Sequence, residues 1–160
     1  MIPRKAVVEG YRFRPNTTAL EAQQIGLAVV RGAVGDEVLL DKDGSPVLNT
    51  VRYVDEGRIS VDTAHDFART KSVARGIAAR YYMHRNFFVS DPDAFCISKQ
   101  TIAVKGEFPK PLTQSEAETS IVLAAVSGGM FEIGDDLPAL GAEPERLALV
   151  TNQDLLHMPN

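Results

Sequence analysis

Aspartates recur in this sequence at one kind of place, the turns that border short apolar runs. Asp41 and Asp43 follow Val38-Leu-Leu40, and Asp62 closes Arg58-Ile-Ser-Val61. Asp91 and Asp93 bracket Pro92 just ahead of Ala94–Ser98, and Asp135 and Asp136 follow Met130-Phe-Glu-Ile133. Carboxyl groups gathered in this way exchange protons with a polar ligand or hydrogen-bond to it. Asp, Gly and Pro also favour turns on their own account, so the recurrence, more than any one position, points to a shared site. Arg58 stands four residues before Asp62; in a strand both side chains fall on one face, as a structural ion pair or as an anchor for Asp62. His65 and Asp66 follow closely enough to line the same mouth. The three histidines, His65, His84 and His157, show no metal-ligand spacing, so neither metal nor cofactor is expected. Cys96, the single cysteine, lies in the apolar run Ala94–Ile97 and reads as a small buried hydrophobe.

The elements that would position these residues alternate. Thr18-Ala-Leu-Glu21 is a capping box opening a helix that Gly35 ends. Val38–Leu40 reads as a strand and Asp41–Pro46 as the loop after it. A second strand covers Arg58–Val61, and a long helix runs from about Asp66 to Asn86. Ala94–Ser98 is a third strand, residues 99–112 a loop, and Thr113-Gln-Ser-Glu116 a second capping box. Its helix stops at Gly128-Gly129, Met130–Ile133 is the fourth strand, and a last helix covers Glu143–Leu149. Strands alternating with helices predict an α/β fold with a parallel sheet, and such folds gather functional groups at the C-terminal ends of strands.

The bulk properties narrow the partners. A chain of 160 residues with 44% hydrophobic and 24% charged residues holds one domain with a real core. A net charge of −4 argues against a general nucleic-acid binder. No run of about 18 apolar residues predicts a membrane span, and Met1-Ile-Pro-Arg-Lys5 lacks the apolar core of a signal peptide, so a cytoplasmic location is expected.

Three stretches resemble the α-galactosidase (melibiase) clan of glycoside hydrolases. Arg58-Ile-Ser-Val-Asp62 is similar to the Arg-x-x-x-Asp element at the end of strand six, whose Asp is the general acid/base. Ser90-Asp-Pro-Asp93 resembles the Asn-Asp-Pro-Asp ahead of strand seven. Ser127-Gly-Gly-Met-Phe-Glu-Ile-Gly-Asp-Asp-Leu137 resembles the end of helix seven, strand eight and the turn after it. Order and spacing match over nearly the whole chain. The resemblance implies a single domain, residues 1–160, built as half of a TIM-type (β/α)8 barrel: four parallel strands with flanking helices, equivalent to strands five to eight. It implies a hydrolase acting on or binding a small glycoside, with Asp62 as retaining-type acid/base and with Arg58, Asp43, His65, Asp91 and Asp93 around the sugar. Retaining glycosidases use two carboxyls about 5–5.5 Å apart, one attacking the anomeric carbon and one moving the proton.

The clan's nucleophile belongs to strand four, and this sequence begins at that point. A half barrel leaves two sheet edges unpaired. A two-fold homodimer closing the barrel would remove both and would bring Asp135 or Asp136 of one chain to the nucleophile's place in the other. The alternatives are a non-catalytic half-barrel remnant and an interaction module that lacks the nucleophile strand.

Overall fold

A computed structural model describes residues 16–44, 48–101, 106 and 108–158. The chain divides into two compact units, one of residues 1–58 with 85–89, the other of residues 59–84 with 90–160. Among the described residues the regular elements are helix α1 (Ala19–Val34), strands β1 (Asp41–Lys42) and β2 (Glu56–Arg58), α2 (Phe67–Arg80), β3 (Val89–Asp91), α3 (Gln114–Val126) and three short helices, α4 (Leu137–Gly141), α5 (Pro144–Val150) and α6 (Gln153–Leu156).

The fold is α/β with a parallel sheet, as the alternation of elements predicts, but the expected four-stranded half barrel is overturned. Among the described residues the sheet has three strands, in the order β1-β2-β3. Asp41 pairs with Glu56 and Lys42 with Gly57 in parallel register. The expected strands at 94–98 and 130–133 shrink to one parallel bridge, Phe95 with Ile133, and the third strand is instead Val89–Asp91. The physical reason lies in the backbone. Hydrogen bonds, not apolar content, make a strand, and here the accepting carbonyls belong to polar residues: Val89 N donates to Asp55 O at 2.8 Å, and Ile59 N donates to Asp91 O at 2.9 Å. The apolar run Val38-Leu39 is left exposed, at 44% and 62%.

In the first unit, both arms of the Thr18/Glu21 capping box are present at the start of α1. Asn49 ties the turn at Leu48–Thr50 to α1, its side-chain amide donating to Leu20 O at 3.3 Å and Gln23 Oε1 at 3.0 Å. Arg31 bridges to Tyr53 O at 3.1 Å and to Asp55, which also accepts from Leu40 N at 2.8 Å. No residue of α1 is buried.

In the second unit, α2 and α3 pack together. The buried hydroxyls of Thr70 and Ser120 bond at 3.0 Å between them, and Val73, Ile77, Ala117, Ile121 and Ala124 fill the core. Helix α2 ends at Arg80 and not near Asn86, because the chain tightens into a 3-10 turn at Tyr81–Met83. The second capping box, Thr113/Glu116, is formed as read. Past α3, Gly128 takes a φ of +74°, which costs glycine little. A Cβ on Gly129 would stand 1.8 Å from Ser90 O; only a bare Cα lets Met130 N reach that same oxygen at 2.9 Å. Arg146 is almost wholly buried, donating to Leu112 O at 2.5 Å and Thr113 O at 3.1 Å. Among the described residues no helix is long and apolar enough to cross a membrane.

Candidate functional site

The second unit brings three distant stretches onto one another: residues 61–66 after β2, residues 91–98 after β3, and residues 132–136. Each junction is a hydrogen bond set by local backbone. Asp91 Oδ1 accepts from Asp93 N at 2.6 Å across Pro92. Asp93 holds a φ of +91°, a conformation that short side chains bonding their own backbone tolerate best. Its Oδ1 accepts from Ala94 N at 2.8 Å, and its Oδ2 accepts from Thr63 N. The Thr63 hydroxyl donates to Ala94 O, and the Ser60 hydroxyl donates to Pro92 O at 2.6 Å.

The third stretch closes the set. Phe95 N donates to Glu132 O and Gly134 N to Phe95 O, both at 2.9 Å. This parallel bridge delivers Asp135 beneath residues 97 and 98. Asp135 Oδ2 accepts from Ile97 N at 2.7 Å and Oδ1 from Ser98 N at 3.1 Å. The same Oδ1 stands 2.9 Å from His65 Nε2. The Ser98 hydroxyl lies 3.5 Å from that nitrogen. His65, Ser98 and Asp135 are all buried.

Cys96 completes the group. A ring nitrogen of His65, Cys96 Sγ and a carboxylate oxygen of Asp135 lie within 4.8 Å of one another. Gly134 makes room for the sulfur: a Cβ there would stand 3.0 Å from it. Burial, then the nearby charges of Asp135 and Asp93, pushes the thiol up to about 11. Cys96 is half-buried and carries its proton at neutral pH, so it is not a ready nucleophile.

The residues singled out from sequence fall into distinct places. Asp62 is exposed, on the irregular segment beyond β2. Because β2 ends at Arg58, the strand alternation expected to put Arg58 and Asp62 on one face does not extend to Asp62. Asp66 is the N-cap of α2, accepting from Ala68 N at 2.9 Å. Asp91, Asp93, His65 and Asp135 form the buried network just described. Asp136 is exposed at the N-cap of α4 with no side-chain capping bond. In the first unit, Arg58 Nη1 stands 3.6 Å from Asp43 Oδ1, and Asp41 is exposed on β1.

Two residues escaped sequence reasoning. Lys42 is buried at the end of β1. Its ammonium donates to the carbonyls of Asp43 at 3.0 Å and Gly44 at 2.9 Å, and burial lowers it from the ordinary lysine range. A lysine inside a turn-rich run gives no sequence signal of burial. Ser98 sits on the histidine, and only the path of the backbone after Phe95 puts it there. No family model matches the chain.

Proposed function

We propose that this chain is a carbohydrate-directed protein of the glycoside hydrolase type, with Asp62 as the carboxyl that moves the proton. One observation carries the reading. The three stretches that resemble the α-galactosidase clan are joined by hydrogen bonds: Ser60 Oγ donates to Pro92 O, Ile59 N to Asp91 O and Met130 N to Ser90 O. Nothing in their spacing along the chain requires this.

The chemistry suits the division of roles. Asp62 is exposed, where a carboxyl meets a glycosidic oxygen, protonates it as the bond breaks, and then takes a proton from water. Asp93 fixes the peptide that follows Asp62 and so acts as a positioning residue. Asp135 already accepts from three donors, which suits it to holding loops together.

The test is turnover of chromogenic α- and β-glycosides by the wild type and by Asp62→Asn. Aglycone release by the wild type, lost in the variant, supports the reading. No release from any glycoside, together with no sugar-induced change in melting temperature, sinks it.

A further inference from the structure

We propose that a ring nitrogen of His65, the Cys96 sulfur and the Asp135 carboxylate form a site for one divalent transition-metal ion of the zinc class. The inference stands apart from the glycoside reading and rests on the geometry of the cluster.

The donor set selects the ion. A thiolate, an imidazole and a carboxylate together suit zinc and its neighbours, while magnesium and calcium want oxygen alone. In a tetrahedral zinc site with bonds of about 2.0–2.3 Å, ligand atoms stand roughly 3.5 Å apart. The three atoms here lie within 4.8 Å of one another, so side-chain rotations that draw them in by about an ångström complete the set.

The surroundings are those of a ligand group. Ile97 N and Ser98 N donate to the Asp135 carboxylate, the kind of outer contact that orients a metal-binding carboxylate. Burial of His65 and Asp135 has already removed most of their water. Three protein donors leave one position for water or for the Ser98 hydroxyl, 3.5 Å from His65 Nε2. On binding, Cys96 gives its proton to solvent and forms the metal–sulfur bond. His65 binds through a ring nitrogen that carries no proton, its hydrogen held at the other nitrogen, and Asp135 binds through a carboxylate oxygen.

Spacing along the chain hid this group. His65 and Asp135 are 70 residues apart, and the three histidines by themselves have no metal-ligand spacing.

Cobalt titration of the purified, metal-stripped chain is the experiment. The chain has one cysteine, so a thiolate-to-cobalt charge-transfer band reports Cys96 and nothing else. The expected result is a band that saturates at one cobalt per chain and is displaced by zinc. Cys96→Ser, nearly isosteric, abolishes the band. His65→Gln weakens binding beyond the roughly 10–100-fold typical of losing an outer contact. A folded wild type that shows no band overturns the site, and so does a His65→Gln variant with unchanged affinity. Because the readout is metal-bound sulfur, it is independent of whether any glycoside is cleaved.

Discussion

The backbone N–H of Thr63 donates to the carboxylate of Asp93, 30 residues further along the chain. This bond fastens the peptide after Asp62 to the turn after β3. The second oxygen of the same carboxylate takes Ala94 N. Asp93→Ala therefore orphans two donors at a place where the wild-type residue is buried. Each orphaned buried donor costs about 1–3 kcal/mol, so a loss of about 2–4 kcal/mol in urea unfolding is expected. Asp93→Asn keeps one acceptor and tolerates the positive φ, so it should lose less than half of that. Equal losses for the two variants would mean that space, not hydrogen bonding, matters here.

How far this arrangement was legible in the sequence differs between helices and strands. Thr18/Glu21 and Thr113/Glu116 announced two helix starts, because a capping box is local: both partners lie within one turn. The strands did not announce themselves. Val38–Leu40 and Met130–Ile133 have the composition of strands, yet β1 and β2 are made of Asp41, Lys42, Glu56, Gly57 and Arg58. At two or three residues, a strand is fixed by which carbonyl its neighbour presents, and no side-chain pattern records that. The recurrence of aspartates at turns marked residues with different fates. It could not tell Asp62, which is exposed, from Asp91, Asp93 and Asp135, which are buried and hydrogen-bonded, since burial depends on contacts up to 70 residues away.

Gly128-Gly129 reads as a helix stop, and the structure adds a second demand at Gly129. A Cβ there would meet Ser90 O at 1.8 Å. That oxygen belongs to β3 backbone and cannot rotate away. Gly129→Ala should destabilise by about 3 kcal/mol or more, at the upper end of overpacking costs. Gly141→Ala, where a Cβ meets nothing within 4 Å, is the control and should leave the melting temperature near wild type. A mild Gly129→Ala would show that the approach of residue 129 to β3 is dispensable.

Acid should weaken this protein through three surface carboxylates. Glu21 and Glu116 are lowered by the Thr18 and Thr113 backbone and side-chain donors, and Asp55 by Leu40 N and Arg31. A group depressed on folding contributes fully above its unfolded value, about 4 for these acids, and loses that contribution as pH falls through the lower folded value. The melting temperature should therefore be flat from pH 7 to about 5 and fall below about 4. In the variant Glu21→Gln/Asp55→Asn/Glu116→Gln the wild-type advantage at pH 7 should shrink steadily between pH 4 and 2. An advantage that persists at pH 2 would place the acid sensitivity elsewhere.

The buried pair of His65 and Asp135 gives the sharpest mutational contrast. Asp135 serves His65 Nε2, Ile97 N and Ser98 N at once, whereas His65 serves chiefly Asp135. Removing the carboxylate strands three donors; removing the imidazole strands one acceptor that keeps two partners. Asp135→Ala should cost about 3–5 kcal/mol, since each of the three orphaned buried donors costs about 1–3 kcal/mol, and His65→Ala noticeably less. Once Asp135 is gone, His65→Ala should cost little more, so the double variant should be more stable than the sum of the two losses implies. A double-mutant cycle in urea measures that coupling. A coupling near zero would mean that the two side chains merely touch, and that the backbone donors of residues 97 and 98 alone keep Asp135 in place.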